Sequence, residues 1–401
     1  MKTHLITLFI SLFYLSVANG QQSLIIELES TEQPAFNKLE PQFNAIKVVG
    51  MGESTHGTHE FFITRIEMFK HLVKHAGYNT FFLEADYANC LPINEYIKGG
   101  EGKAEELVSN IGLWPWMTEE MVDLVEWMRT YNQQSDSQLS FIGVDMQKNY
   151  STANALVKIL GDNAPQPLLA IADISAYDFW RLKKSTVKKQ FLPAQDAVNK
   201  LDASVINKTD LAEYKLLVRH FNQIIDSRFA KKSSFRDLKM AENILYHLEK
   251  DDRIKGFFWA HNMHIANFYM ESNAHGVAGG YLKQQLKDKY YSIGQEFYEG
   301  SFNVYSISKG QKDSEYKLGK VSVLPAAEGS LASNFKAAYN LPIYAPVSAI
   351  PQSEQFYLTN IGAQYIKNDD PKSIWRYNHH GRNAFDAIVV IDKSTPTKLL
   401  Q

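Results

Sequence analysis

The sequence predicts an α/β fold in which a mostly parallel, mixed sheet has helices on both faces and carries an inserted all-helical subdomain. Three observations predict this class. The chain has 401 residues, of which 45% are hydrophobic, and this is enough for a large core. Short apolar runs of β-branched and aromatic residues recur along the chain, as strands covered on both faces require. Residues 151–250 are rich in helix formers and contain no convincing strand pattern.

Six apolar runs give the predicted strands. In chain order they are AIKVVGM near residue 45, NTFFLEAD near 79, LSFIGVD near 139, IKGFFWAHN near 254, YYSIGQEF near 290 and FDAIVVID near 385. Between the first two, apolar residues recur at helical spacing from Phe62 to Ala76, and Gly77 supplies a stop. A second helix is predicted in WMTEEMVDLVEWMRTYNQQ, before the third strand. Residues 303–384 mix alternating segments with loops, and the order of the strands does not follow from the sequence.

The first 20 residues have the pattern of a cleaved secretory signal, because Lys2 precedes an apolar run from Leu5 to Val17 and small residues follow. The run is shorter than the roughly 20 residues of a membrane-spanning helix. We therefore expect a secreted or periplasmic protein without stable membrane insertion after cleavage. The predicted organisation is a signal peptide, the first part of an α/β catalytic domain, a helical insertion subdomain and the second part of the catalytic domain, at residues 1–20, 21–150, 151–250 and 251–401.

Charge and cysteine content exclude other classes of protein. The chain carries 42 Lys and Arg against 44 Asp and Glu, a net charge of −2, which gives no reason to expect a nucleic-acid partner. Cys90 is the single cysteine, so an intrachain disulfide is excluded. A lone cysteine near an apolar strand is more often a packing residue than a nucleophile.

Ionisable side chains stand at the ends of four predicted strands. They are Glu53, His56, Glu84, Asp145, His261 and His264. Because the carboxyl ends of parallel strands lie along one edge, where open α/β folds bind ligands, these residues predict a site. Arg65 lies about 60° from the centre of the apolar stripe of its helix and is placed to reach a carboxylate. Singly, each residue also has a structural explanation, such as an ion pair between Arg65 and Glu84.

The chemistry that these residues favour is activation of water by a general base. The sequence has no G-x-S-x-G elbow, and a histidine held by carboxylates removes a proton near neutral pH. Arg65 or a second histidine could stabilise the oxyanion. The same residues could instead hold a metal, although no H-E-x-x-H occurs. VVGMG looks like the start of a dinucleotide-binding loop, but that pattern fails at Thr55, and Glu53 would repel pyrophosphate.

Six ordered blocks resemble the erythromycin esterase family. They are GESTHGTHEF, FFLEAD, LWPWMTEEMVDLVEWMRTYN, FIGVDMQ, RDLKMAENI and FFWAHNMHIAN, and the resemblance runs from about residue 45 to about 302. Members of this family hydrolyse the lactone of macrolide antibiotics without a serine nucleophile and are generally regarded as metal-independent. The resemblance therefore implies a carboxylic ester hydrolase without a cofactor, acting on a small-molecule ester or lactone in a cleft between the sheet edge and the helical insertion.

The resemblance also implies roles for the strand-end residues. His56 corresponds to the proposed general base, Glu53 and Glu84 to essential carboxylates, and Arg65 to the helix arginine. His261 and His264 match the two histidines of an H-N-x-H block. We expect Glu53 and Glu84 to orient the base or the water, and His261 to transfer protons or support the oxyanion. The sequence does not decide whether His56 or His261 is the base.

Three further residues are predicted to bind the substrate: Trp114, Trp116 and Asp145. The two tryptophans could form an apolar wall, or could pack between helix and sheet. Two alternatives to a metal-independent esterase stay open. One is a metal-dependent hydrolase, because the family distantly resembles such enzymes with a similar glutamate and histidine after the first strand. The other is a periplasmic protein that binds a ligand without turnover.

Overall fold

The computed structural model describes residues 25–400 apart from 33, 35, 40–42, 148, 175–178, 180, 271–274, 309–311, 313–314, 352–356, 360 and 367–380. The predicted signal peptide, residues 1–20, lies outside the described residues. Within them, no helix combines the length and the apolar character needed to cross a bilayer.

Strands and helices are numbered along the chain. The strands are β1 Ile26–Glu27, β2 Val48–Met51, β3 Thr80–Asp86, β4 Ser140–Asp145, β5 Gly256–Trp259, β6 Tyr269–Met270, β7 His275–Gly276, β8 Tyr290–Ile307, β9 Lys317–Val323, β10 Ile343–Pro346, β11 Gln364–Ile366 and β12 Ala387–Ser394. The α-helices are α1 His59–Ala76, α2 Tyr87–Ile97, α3 Ala104–Ser109, α4 Glu119–Gln134, α5 Asn149–Leu160, α6 Gln166–Ala172, α7 Lys184–Asn199, α8 Leu211–Ser227, α9 Phe235–Lys250, α10 Asn262–Ile265, α11 Ala278–Leu286, α12 Leu331–Ala338 and α13 Gly381–Ala384.

The chain forms two compact units. The first contains the residues up to Tyr78, Ala260–Phe268 and Lys283–Lys398. The second contains Asn79–Trp259, Tyr269–Leu282 and the residues after Lys398.

The first unit is built on a mixed sheet with the strand order β1-β10-β12-β8-β2. The central strands β12, β8 and β2 are parallel, with Met51 in register with Ile293, whereas β10 is antiparallel to β12 and β1 is antiparallel to β10. The distal part of the long strand β8 pairs with β9 antiparallel and with β11 parallel. All four residues of β2 are buried, as the apolar run that predicts it requires.

Helices cover both faces of this sheet. On one face the ring of Phe297 in β8 lies 6.1 Å from the ring of Phe61 in α1. On the other, the hydroxyl of Tyr290 donates to the carbonyl of Ile265 in α10 at 2.6 Å. Residues 290 and 297 point to opposite faces because side chains alternate along a strand. Helix α1 ends where the sequence predicts, at Gly77, whose φ of 71° lies in the left-handed region that favours glycine.

The second unit contains a parallel three-stranded arrangement in the order β5-β3-β4. All seven residues of β3 are buried. Helix α9 packs against β4, where the Asn243 side chain donates to the Val144 carbonyl at 2.9 Å. Between β4 and β5 every regular element that the structure describes is helical, from α5 to α9.

The predicted fold class is confirmed: an α/β protein with a mixed, mostly parallel sheet, helices on both faces and an inserted helical region. The structure adds what the sequence left undecided between residues 303 and 384. There the alternating segments form the end of β8 and the antiparallel strand β9, and β10 and β11 complete the sheet of the first unit. The predicted domain boundaries at 150 and 250 remain predictions.

Candidate active site

The first cluster of predicted site residues lies just beyond β2. The Gly52 N–H donates to the Ile293 carbonyl at 2.9 Å, and the Asn262 N–H donates to the Glu53 carbonyl at 2.9 Å. The Asn262 side chain is in turn fixed on β8, because its Nδ2 donates to the Gln295 carbonyl at 2.9 Å and its Oδ1 accepts from the Gln295 N–H at 3.1 Å. Backbone bonds from two elements thus hold the Glu53 turn in place.

Glu53 bridges a histidine and an arginine. Its side chain is fully buried, and Oε1 lies 2.6 Å from Nδ1 of His56. The other oxygen, Oε2, accepts from Nη2 of Arg65, which is also fully buried. Arg65 is oriented by a bond from Nε to the Phe61 carbonyl one turn earlier at 3.0 Å. The carboxylate and the guanidinium compensate each other's charge where water cannot.

The contact with Glu53 sets the tautomer of His56. A carboxylate only accepts, so Nδ1 carries the proton and the lone pair is on Nε2. The His56 side chain is 12% exposed, whereas Glu53 and Arg65 are not exposed at all. Among these three residues His56 is therefore the one whose side chain reaches the surface of the protein.

His261 has a different tautomer. Its Nδ1 accepts from the Met263 N–H at 3.2 Å and so caps α10. Its proton is then on Nε2, which lies 3.4 Å from the Ser54 carbonyl. The ring is 5.3 Å from the ring of His56 and 6.4 Å from that of His264. Because the lone pair of His261 is used in the cap, this geometry favours His56 as the base.

A segment that the sequence does not predict completes the cluster. The Ser54 carbonyl accepts from the N–H of Ile361 at 2.9 Å and of Gly362 at 3.1 Å. The Gly362 carbonyl accepts from the His56 N–H at 3.2 Å. Residues 361 and 362 therefore fix the backbone on both sides of Thr55.

The second cluster lies in the other unit and centres on Arg236, a residue at the start of α9 that sequence reasoning missed. Its Nη2 donates to Glu84 Oε1 and to Asp145 Oδ2, each at 2.6 Å, and its Nε donates to Asp145 Oδ1 at 2.9 Å. Burial lowers the pKa of Arg236, but Asp145 and Glu84 outweigh burial and hold this pKa well above its ordinary value. One guanidinium thus serves two carboxylates.

A β-bulge shapes β3 at Glu84. Leu83 is in register with Gly143, but the next registered pair is Asp86 with Asp145, so Glu84 and Ala85 lie opposite a single residue of β4. Gly143 permits this close approach, since a Cβ there would lie 2.6 Å from the Ala85 carbonyl oxygen. Such bulges re-aim side chains.

The two tryptophans differ in exposure. Trp116 is 1% exposed, its Nε1 donates to the Glu84 carbonyl at 3.0 Å, and its ring meets that of Trp259 edge-on at 5.9 Å. Trp116 therefore supports the backbone of Glu84 and has almost no surface to offer a ligand. Trp114 is half-buried and keeps exposed surface.

Metal binding and a cysteine nucleophile are the two other chemistries that the sequence allows. Among the described residues, no group of three or more His, Cys, Asp or Glu side chains is arranged to hold a metal ion. Cys90 is fully buried, and burial raises the pKa of its thiol well above the ordinary value, so it is not an activated nucleophile.

The structure brings Glu53, His56, Arg65 and His261 together in the first unit, with His264 beside His261. It brings Glu84 and Asp145 together in the second. The common edge for all of these residues remains a prediction.

Comparison with known proteins gives one family. The sequence profile of the erythromycin esterase family matches residues 73–394, a range that begins after Arg65. Erythromycin esterase type II of Escherichia coli is 23% identical over 304 residues, which cover 66% of this chain and 72% of that protein.

Two solved structures share the fold. A Bacillus cereus protein is 23% identical with a TM-score of 0.79, and the match covers 96% of this chain and 99% of that one. An erythromycin esterase mutant in its open conformation is 15% identical with a TM-score of 0.69, and the match covers 93% and 98%.

Proposed function

This chain belongs to the erythromycin esterase family of hydrolases, and we propose that it hydrolyses carboxylic esters, lactones among them, with a water molecule that His56 activates. The observation that carries the proposal is the 2.6 Å contact between Glu53 Oε1 and His56 Nδ1. It leaves a basic nitrogen on the one partly exposed member of a buried charged cluster.

The proposed reaction needs no covalent intermediate. Water attacks the carbonyl carbon of the ester while Nε2 of His56 accepts one of its protons. The tetrahedral intermediate collapses, the bond between carbonyl carbon and alkoxy oxygen breaks, and the same nitrogen returns the proton to the alkoxide. An ester yields an acid and an alcohol, and a lactone yields one hydroxy acid heavier by one water.

Glu53 stabilises the imidazolium that forms in this step, because its carboxylate faces the Nδ1–H of His56. Arg65 is fully buried, so we assign it to the positioning of Glu53 rather than to contact with the oxyanion. His261 carries its proton on Nε2 and is the better candidate to support the oxyanion, with His264 as a second donor.

Glu84 enters the proposal as a second carboxylate that orients water or substrate. It is 6% exposed and one of its oxygens is bound by Arg236. Asp145 is fully buried and bound by the same guanidinium, so we assign it to the orientation of Arg236. Of the two tryptophans, Trp114 is the one with surface for an apolar part of the substrate.

The substrate class that we propose is a macrolide-type lactone. Support comes from family membership and from the likeness to an esterase named for erythromycin. We also propose export to the periplasm or the medium, from the signal pattern at residues 1–20. N-terminal sequencing of the protein from the exported fraction of producing cells tests the second point, and a chain that keeps Met1 contradicts it.

The experiment on function is mass spectrometry of erythromycin after incubation with the purified protein, with and without EDTA. A product heavier by one water in both samples supports the proposal. A product that EDTA abolishes supports the metal-dependent alternative. Turnover of 4-nitrophenyl butyrate alone would restrict the substrate to other esters, and turnover of neither compound would refute an esterase.

Two variants test the residues. His56→Asn and Glu84→Gln should fold normally and lose at least about a hundredfold in turnover, the scale of general-base removal. His75→Asn, at an exposed position of α1, is the matched control and should keep wild-type turnover. Wild-type rates in either site variant would contradict its assignment.

A further inference from the structure

A buried acid lies on β8 outside the catalytic cluster. Glu296 is 2% exposed, and its carboxyl group is held by one residue, Thr359. The Thr359 N–H lies 3.2 Å from both carboxyl oxygens, and the Thr359 hydroxyl lies 3.0 and 2.8 Å from them. Thr359 is the sole hydrogen-bonding partner of this carboxyl group among the described residues. Burying a carboxyl group costs free energy. The segment that Thr359 belongs to shows what this contact positions.

Thr359 lies two and three residues before Ile361 and Gly362. The N–H groups of these two residues donate to the Ser54 carbonyl. The carbonyl of Gly362 also accepts from the His56 N–H. A chain advances at most about 3.5 Å per residue, so fixing Thr359 confines Ile361 and Gly362 to a small volume. On their other side, the Ala363 carbonyl accepts from the Tyr305 N–H at 3.1 Å, and β11 joins β8.

We propose that Glu296 is a positioning residue for the reaction: through Thr359 it holds residues 361 and 362 against the backbone of Ser54 and His56. This inference rests on the proposed function for its consequence in turnover, but the positioning itself is a property of the first unit. Loss of the anchor releases the backbone of the base while leaving Glu53, Arg65 and the imidazole chemically intact.

The charge state of Glu296 suits this role. Burial raises the pKa of Glu296 to about 8, although the bonds from Thr359 act in the opposite direction. The carboxyl group is therefore neutral near pH 7, and it can donate its own proton to the Thr359 hydroxyl while accepting from the N–H. At alkaline pH Glu296 loses its proton, and a buried carboxylate without a neighbouring cation is unfavourable. The contact between Glu296 and Thr359 should therefore weaken there.

Few charged groups lie on the elements around Glu296. Its neighbours in register on β12, Val389 to Ile391, are apolar, and β2 carries no ionisable residue. Lys336 of α12 pairs with Asp392 at 2.7 Å, and His264 is the titratable residue of α10. Tyr298 of β8 and Tyr357 of the segment that carries Thr359 are further titratable residues nearby along the chain. None of these groups forms a salt bridge with Glu296 among the described residues, so no cation there offsets the charge that Glu296 acquires at alkaline pH.

Hydrogen–deuterium exchange measured by mass spectrometry tests the positioning without any substrate. The peptides are those that contain Ser54 to His56 and Tyr357 to Gly362. Glu296→Ala and Thr359→Val should raise exchange in both peptides at least about tenfold at neutral pH, and Glu296→Gln and Thr359→Ser should not. Glu299→Gln, at a half-buried position of the same strand, is the matched control. Unchanged exchange in both disruptive variants would overturn the proposal.

Turnover of 4-nitrophenyl butyrate supplies the second readout. Wild type should lose kcat above about pH 8 with KM unchanged, and Glu296→Gln should keep its kcat there because an amide does not ionise. Should Glu296→Ala fail to fold, Thr359→Val keeps the volume and the acid and decides the outcome. Altered exchange in a protein without esterase activity would retain the positioning and reject the proposed function. Esterase activity with unaltered exchange would do the reverse.

Discussion

Replacing Glu53 by glutamine separates the two functions of this carboxylate. Glutamine has the same shape but accepts with only one of its two terminal atoms. If its oxygen stays on Arg65, its amide N–H faces Nδ1 of His56 and forces that nitrogen to accept. The proton of His56 then moves to Nε2, the nitrogen that must act as the base. The substitution therefore produces the wrong tautomer while leaving every backbone bond of the turn in place.

The magnitudes follow from burial. A base fixed in the wrong tautomer is expected to lose about three to four orders of magnitude in kcat, or about 4–5.5 kcal/mol of transition-state stabilisation. KM should stay near the wild-type value, because Glu53 is fully buried and cannot touch the substrate. The free energy of unfolding should fall by about 3 kcal/mol, since Arg65 keeps an acceptor but loses the opposite charge.

The assay is steady-state hydrolysis of 4-nitrophenyl butyrate, together with urea unfolding of Glu53→Gln, Arg65→Met and the double variant. Removing both charges should destabilise the protein less than removing either one, because no uncompensated charge is then buried. Turnover by Glu53→Gln within about threefold of wild type would refute the assigned tautomer of His56. A double variant no more stable than either single one would refute the pairing energy.

Two further predictions concern the second unit. Arg236→Met should lower the free energy of unfolding by about 2–4 kcal/mol, measured by urea unfolding followed by tryptophan fluorescence. Arg236→Lys should lower it less, because lysine keeps the positive charge beside Glu84 and Asp145 but cannot bind both carboxylates as a guanidinium does. Equal losses in the two variants would contradict this. Burial lowers the pKa of His220 from 6.5 to about 3, so the unfolded chain binds a proton there that the folded chain refuses. The free energy of unfolding of wild type should fall as pH falls from about 6.5 toward 3. It should fall less in His220→Phe, whose ring can keep the stack on Tyr87 that His220 makes at 4.9 Å. Parallel pH profiles of stability in the two proteins would contradict this prediction.

The strands that the sequence predicts are those that are buried on both faces. Every residue of β2 and β3 is buried, so β2 appears as a continuous apolar run and β3 as an apolar run from Phe81 to Leu83 that ends at Glu84. A carboxylate directly after such a run, as at Glu53, is conspicuous for the same reason. The distal strands of the first unit alternate and are partly exposed, as in β9, and a pattern of this kind is shared by many loops.

The contacts that the sequence does not predict join distant residues. Arg236 lies 91 residues from Asp145 and 152 residues from Glu84 along the chain, and its helix belongs to the insertion. One local signal was present: a cation in the first turn of a helix opposes the helix dipole and needs a compensating partner. Glu296 gave a similar signal, as the single charged residue in the run YYSIGQEF.

Asn262 has a consequence for how the protein ages. Its amide completes two backbone bonds of Gln295, much as a neighbouring strand would, and its own N–H holds the Glu53 carbonyl. Asparagine is among the thermolabile residues, and deamidation turns the amide into a carboxylate. A carboxylate oxygen would then stand in place of Nδ2 and face the Gln295 carbonyl, so that two acceptors would meet with no proton between them. Deamidation would thus weaken the attachment of the Glu53 turn to β8 at a side chain outside the proposed chemistry, and it would add a negative charge without cleaving the chain.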